Sequence, residues 1–212
     1  MQSDKRPILI GITGGVGSGK STFCRLLSNH GYVVYSADII AHEAYRHPEI
    51  IATLLEIFGQ KVIIDGTLDR KLIGKLVFSD RDLRNRLNSI LHPHILNRMQ
   101  ELYDRCESRY CFFEVPLLIE ADLIPCFDFT VLVYCTVEQQ IKHLVNTRGL
   151  EKEDAKKIIA AQMDIETKRD RLDYIVENTG NIPSLVKEVD RFIEQIASIP
   201  HRRIKKLNRK QA

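Results

Sequence analysis

Gly14-Gly15-Val16-Gly17-Ser18-Gly19-Lys20-Ser21 fits the pattern G-x-x-x-x-G-K-[ST], and each residue type in it has a phosphate-binding reason. Adjacent phosphates need several backbone N–H groups pointing inward, and glycine lets a loop curl tightly enough to supply them. A helix beginning near Lys20 adds the positive end of its dipole. In such a loop Lys20 reaches the β- and γ-phosphates, the Ser21 hydroxyl holds Mg²⁺, and Thr22 assists near the α-phosphate. Gly15, Gly17, Ser18, Gly19, Lys20, Ser21 and Thr22 are thus the expected triphosphate-binding stretch.

The motif specifies nucleotide phosphates and no more, since kinases, GTPases and ATPases share it. The sequences N-K-x-D and D-x-x-G, with which a GTPase reads guanine and couples its switch, do not occur. A small-molecule kinase becomes the default, set against a nucleotide-dependent switch with slow turnover. A kinase needs a base or orienting group beside the acceptor hydroxyl. Asp38, after the run Tyr35-Ser36-Ala37, could take that proton, and it suits a helix N-cap equally well. Glu114, ending Cys111-Phe112-Phe113, stands where a strand-end acid binds magnesium; an ordinary surface carboxylate is the alternative. Lys156, Lys157, Lys168, Arg169 and Arg171 could clamp a transferring phosphoryl group from a mobile lid, or simply pair along a solvated helix. His92 and His94 flank Pro93, which reads as a break and a new helix start rather than a metal site.

The elements that must position these residues alternate. Ile8 to Thr13 reads as a strand, Lys20 to His30 as a helix with Gly31 past its end, and Tyr32 to Ser36 as a second strand. Tyr110 to Val115 and Phe129 to Cys135 are continuous apolar runs, the mark of strands covered on both faces. Val137 to Thr147 and Glu151 to Arg171 read as helices, Tyr174 to Val176 as a last strand. The closing helix places Leu185, Val186, Val189, Phe192, Ile193 and Ile196 on one face at 3.6-residue spacing. Strands separated by helices imply an α/β fold with a parallel five-stranded sheet between helical layers. The stretch 39–106 is too long for a simple crossover and is expected to be a helical insertion. The whole reads as one kinase domain over 1–200: a core of 7–38, 108–140 and 172–199, the insertion at 39–106, a lid at 141–171, and a loose basic tail at 201–212.

Composition excludes several classes. With 44% hydrophobic and 28% charged residues the chain reads as globular, and its apolar runs are of strand length, so no membrane association is expected. Five cysteines without a C-x-x-C pair imply neither disulfides nor zinc, and a cytoplasmic setting. The net charge of +3 misleads as a guide to partners. Six cations lie in 201–210, so the rest of the chain carries −3, and no nucleic-acid partner is expected.

The order Ile10-Gly11-Ile12-Thr13-Gly14-Gly15-Val16-Gly17-Ser18-Gly19-Lys20-Ser21-Thr22, Ala37-Asp38-Ile39-Ile40-Ala41, Phe58-Gly59, Asp65-Gly66-Thr67-Leu68-Asp69-Arg70 and Leu91-His92-Pro93 resembles the dephospho-coenzyme A kinase family. The resemblance continues through Val115-Pro116-Leu117-Leu118-Ile119-Glu120, Ala160-Ala161-Gln162-Met163, Lys168 to Tyr174 and Asn178-Thr179-Gly180. It implies a P-loop fold of three α/β/α layers and Mg²⁺-dependent transfer of the ATP γ-phosphoryl group to the ribose 3′-hydroxyl of dephospho-coenzyme A. A monomer is expected, and another P-loop nucleotide or small-metabolite kinase is the alternative. By resemblance Asp38 and Lys20 are catalytic, and Asn178 and Gly180 lie near the adenine. His92, Pro93, Leu117, Leu118 and Glu120 shape the acceptor site; Arg148, Lys168 and Arg171 clamp phosphates; Ser21 and Glu114 hold the metal. The chain also departs from the pattern, with Ser36 where the family has a first acid, and His143 and Thr147 where it has arginines. Arg148, one position later, is the residue that would replace the second arginine.

Overall fold

The computed structural model describes residues 6–202, 204, 206 and 207. In chain order its elements are β1 (Ile8–Gly14), α1 (Lys20–Asn29), β2 (Val34–Ser36), α2 (Ala37–Ala44), α3 (Pro48–Phe58), β3 (Ile63–Ile64), β4 (Thr67–Leu68), α4 (Arg70–Ser79) and α5 (Arg81–Asp104). There follow β5 (Tyr110–Glu114), β6 (Phe129–Tyr134), α6 (Val137–Arg148), α7 (Lys152–Ala160), α8 (Ile165–Arg169), β7 (Tyr174–Glu177) and α9 (Ile182–Ile196). These elements fall into two compact units, one built from 6–36 and 105–202, the other from 37–104 with 206–207.

The first unit holds the five-stranded sheet, ordered β2-β5-β1-β6-β7 and parallel throughout. Alternation along β1 sends Ile8, Ile10 and Ile12 to one face, where Phe23 and Leu27 of α1 and Leu185, Val189, Phe192 and Ile196 of α9 cover them. The opposite face of β6 carries Leu132 and Tyr134, covered by Ile165 of α8. This is the three-layer α/β/α arrangement, with apolar runs on both sheet faces because both are buried. Local chemistry sets the helix ends. Thr136 and Gln139 form a reciprocal capping box at the start of α6, and Gly149 ends that helix at φ 62. Asp164 and Asn181 cap α8 and α9 through backbone N–H groups.

The second unit is helical around a core of Ala44, Leu54, Phe58, Val62, Ile73, Leu87 and Leu91. Its short hairpin β3–β4 turns at Asp65 and Gly66, both with positive φ, as a two-residue turn of that handedness requires.

Five sequence expectations are corrected. Pro93 does not break the pattern; it lies inside the 24-residue α5. A proline there forfeits one helical hydrogen bond, yet Leu87 and Leu91 before it and Met99 and Tyr103 after it are all buried, and that burial keeps the helix continuous. The span Glu151 to Arg171 is two helices, parted where Asp164 turns its carboxylate onto the Glu166 and Thr167 amides. The second strand begins only at Val34, because Gly31 and Tyr32 are used in closing α1, their amides bonding to Ser28 and Leu27. Asp38 is not an N-cap but lies within the first helical turn of α2. The tail expected to be loose is held where it starts: the Arg202 N–H donates to Asp128 and its guanidinium to Asp173. Residues 203, 205 and 208–212 of that tail lie outside the described residues.

Candidate active site

The phosphate loop leaves β1 at Gly14 and enters α1 at Lys20. Gly17 (φ 74) and Gly19 (φ 86) adopt left-handed backbone that only glycine takes without strain. Gly19 stands at the N-cap of α1, where no side chain makes a capping hydrogen bond, and the first turn carries no acid. The amides there and the helix dipole therefore face an anion unopposed. Ser18 N–H closes the crown of the loop on the Gly15 carbonyl at 3.1 Å.

Charge gathers at the end of β5. The Lys20 Nζ lies 2.5 Å from Glu114 Oε1, and Ser21 Oγ donates to the same oxygen at 3.2 Å. Parallel pairing of β1 with β5 brings this about, since Ile12 is in register with Glu114. A hydroxyl and a carboxylate oxygen side by side are the hard donors that Mg²⁺ prefers, and a magnesium ion bound with substrate phosphates needs only one or two protein ligands. On the other side of β5, Ser36 is in register with Glu114. Asp38 follows two residues on in α2, exposed, and its carboxylate accepts no hydrogen bond among the described residues.

Around the loop stand residues whose importance the motif does not announce. Asn178 donates through Nδ2 to the Ser18 carbonyl at 2.8 Å and accepts the Gly180 N–H at 3.0 Å. Gln162 Oε1 accepts the Val16 N–H at 2.9 Å. Gln140 is buried, and its Nε2 lies 2.7 Å from where a Cβ on Gly15 would stand. Gln162 stands inside the stretch Ala160-Ala161-Gln162-Met163 that carries the resemblance, whereas nothing in the sequence singles out Gln140, between Gln139 and Ile141. A cleft of about 300 Å³ opens next to the loop, lined by Gly17, Cys135, Gln139, His143, Thr147, Asn178 and Gly180 among others. Asn178 and Gly180, assigned to the adenine, thus lie together beside Gly17. Burial pushes the Cys135 thiol at its edge up to about 11, so this sulfur is no nucleophile at neutral pH.

The remaining assigned residues divide. Leu118 is fully buried against Gly11 and packs the core, while Leu117 is half-exposed beside it. Glu120 and Lys168, given separate roles by sequence, form an ion pair at 2.8 Å with the lysine side chain wholly buried; the contact lies outside hydrogen-bond geometry. Lys168 is therefore not a surface clamp. Lys156 and Lys157 pair with Glu153 and Asp154 along α7, and Arg169 pairs with Glu177 and stacks on Tyr134. Arg148 and Arg171 are exposed, and neither guanidinium has an ion-pair partner among the described residues. His92 and Pro93 lie mid-helix in α5 of the other unit, as does His94, whose ring meets that of His47 at 4.3 Å.

A phosphate loop with an acid at the adjoining strand end and a cleft beside it fits a nucleotide-dependent enzyme, and comparison with known proteins narrows the class. The family model described as dephospho-CoA kinase matches residues 8–184. A dephospho-CoA kinase of Fusobacterium nucleatum is 33% identical over 190 residues, covering 89% of this chain and 98% of its own. A solved structure from Thermus thermophilus superposes with a TM-score of 0.82 at 34% identity, covering 91% of this chain and 99% of that one. The dephospho-CoA kinase of Campylobacter jejuni gives 0.65 at 26% identity, covering 89% and 96%. With the phosphate loop, the paired Glu114 and the parallel order of the sheet all inside the matched span, this chain belongs to the dephospho-CoA kinase family.

Proposed function

We propose that the protein transfers the γ-phosphoryl group of ATP to the ribose 3′-hydroxyl of dephospho-coenzyme A, yielding coenzyme A and ADP. The observation that carries this reading is the family match across residues 8–184. Transfer is in line, with no covalent enzyme intermediate, so the chain's contribution is alignment and charge stabilisation. Backbone amides of the loop, those of Gly17, Gly19 and Lys20 among them, hold the phosphates, and the Lys20 ammonium exchanges its Glu114 partner for phosphate oxygens. Ser21 and Glu114 hold Mg²⁺, which when bound neutralises charge between the phosphates. Asp38 takes the acceptor hydroxyl proton. Arg148 and Arg171 are the exposed cations available to the transferring group, and His92, Pro93 and Leu117 belong to the acceptor site. Five free thiols fit a reducing cytoplasm, and among the described residues no helix is long and apolar enough to cross a membrane.

The test is ADP release from ATP and Mg²⁺ with dephospho-coenzyme A, AMP, adenosine or no acceptor. Release that depends on dephospho-coenzyme A, with coenzyme A formed in equal amount, is the expected result. Stimulation by AMP or adenosine alone would transfer the protein to another kinase activity.

A further inference from the structure

Gln162 lies in the connection between α7 and α8, after the chain has left helix at Ala161 and before Asp164 caps the next one. Its side-chain oxygen accepts the Val16 N–H at 2.9 Å, across 146 positions of sequence. Val16 is the crown of the phosphate loop, and neither neighbour has a side chain with which to hold it. A Cβ on Gly15 would stand 2.7 Å from Gln140 Nε2, and one on Gly17 would stand 3.0 Å from the Gln140 carbonyl. α6 therefore presses on the loop from one side, while Gln162 bonds to its crown from another element.

The base from which Gln162 reaches is fixed. Three residues on, Ile165 is buried against Leu132 and Tyr134. Lys168, wholly buried, is paired with Glu120 in the segment after β5. Asp164 ties the start of α8 through two amides. The span 162–171 is thus a platform docked on the sheet, and Gln162 is its contact with the loop.

We propose that Gln162 is a positioning residue for phosphoryl transfer, setting the direction of the Val16 amide from the α8 platform. Any lid motion in 141–171 is then confined to residues before Gln162, because the later ones are fastened to the core. The inference rests on reading the loop as the ATP site and is independent of the acceptor's identity.

The test uses the full-length protein with two variants. Gln162→Met keeps the length and removes the acceptor oxygen, while Gln162→Glu keeps an acceptor of equal reach. Three quantities are read: exchange of the Val16 amide in nucleotide-free protein, kcat at saturating ATP with KM for both substrates, and the melting temperature. Gln162→Met is expected to speed Val16 exchange by roughly tenfold and to lower kcat by about tenfold or more. The acceptor KM and the melting temperature should stay near wild type. Gln162→Glu should restore slow exchange and recover part of kcat. Wild-type Val16 exchange in Gln162→Met overturns the contact. Faster exchange with unchanged kcat and ATP affinity overturns its positioning role. A kcat loss that follows a large fall in melting temperature, with no recovery in Gln162→Glu, makes the residue structural only. Should the wild-type protein fail to phosphorylate dephospho-coenzyme A, the acceptor reading falls, while amide exchange and ATP affinity still decide the role of Gln162.

Discussion

Gly19→Ala isolates the interplay between the phosphate loop and its buttress. Gly19 sits at φ 86, and an alanine in that left-handed region costs about 1–2 kcal/mol. The new methyl would overlap Asn178 Nδ2. Asn178 cannot step aside freely, because Nδ2 donates to the Ser18 carbonyl, Oδ1 accepts the Gly180 N–H and its own backbone N–H is bonded to Tyr134. Displacing the amide forfeits one hydrogen bond, about 1 kcal/mol. The sum is about 2–3 kcal/mol, which in a chain of this size lowers the melting temperature by about 4–12 °C. Asn178→Ala alone loses both side-chain hydrogen bonds, about 2 kcal/mol. The double variant then has strain and both missing bonds but no overlap, about 3–4 kcal/mol in all, so it falls about 1 kcal/mol short of the two single losses added together. Denaturant unfolding and ATP titration of the three proteins read these quantities. Additivity of the two single variants to within about 0.5 kcal/mol would refute the reasoning, and so would a Gly19→Ala protein that melts like wild type.

Three further outcomes follow from named contacts. Asp38→Asn should lower kcat by roughly 10²–10⁴-fold with little change in ATP affinity, and near wild-type turnover in steady-state assays would remove Asp38 from the role of base. Burial pushes the Asp128 carboxyl up, but hydrogen bonds from both Arg6 guanidinium nitrogens and from the Leu9 and Arg202 amides outweigh it and hold the group below its usual range. A depressed value means stability present above the unfolded pKa of about 3.9 and lost as pH falls through the folded value. Asp128→Ala should therefore cost about 3–5 kcal/mol at pH 7, and its deficit in urea unfolding should shrink below about pH 4; a deficit that does not change with acid contradicts this. For the pair Glu120 and Lys168, Glu120→Gln strands a wholly buried ammonium, whereas Lys168→Met leaves a carboxylate that solvent already touches. Glu120→Gln should accordingly be the more destabilising, and the reverse order in chemical unfolding would show that the burial of Lys168 is not what matters.

The phosphate loop was legible because its whole chemistry is local: eight consecutive residues bend, cap and charge themselves. The sheet was legible for a similar reason, since runs such as Cys111-Phe112-Phe113 and Val131-Leu132-Val133 are buried on both faces. Glu114 could be suspected from its place at a strand end, but its contact with Lys20 depends on the register of β1 and β5. Local rules misled where packing overrode them. Pro93 argues for a break, and four buried side chains of α5 outvote it. Lys168 reads as one cation among several on a charged helix, and only the fold shows that α8 is turned inward and that Glu120 lies 48 positions away to receive it. Gln162 was visible as a letter in a motif, with nothing in sequence to say which amide it bonds.

The departures at His143 and Thr147 gain meaning from the faces of α6. Gln140 and Leu144, one turn apart, press on the phosphate loop at Gly15 and Gly17. Gln139, Lys142, His143, Asn146 and Thr147 occupy the neighbouring face and line the cleft beside Asn178 and Gly180. Residues three and four apart share a face of a helix, so one helix supports the loop with one stripe and meets the cleft with another. The side chains at 143 and 147 can therefore differ from the family without moving the loop, and their effect is confined to what occupies the cleft. Arg148 ends the helix one step on, immediately before Gly149 reverses the backbone at φ 62, and does not line that cleft. An arginine moved by one position turns about 100° around the helix axis, so Arg148 cannot reproduce the direction of an arginine at 147 while α6 keeps its present end. If it serves the transferring phosphate, it does so through movement of the segment between Gly149 and Gln162, which lies outside the platform.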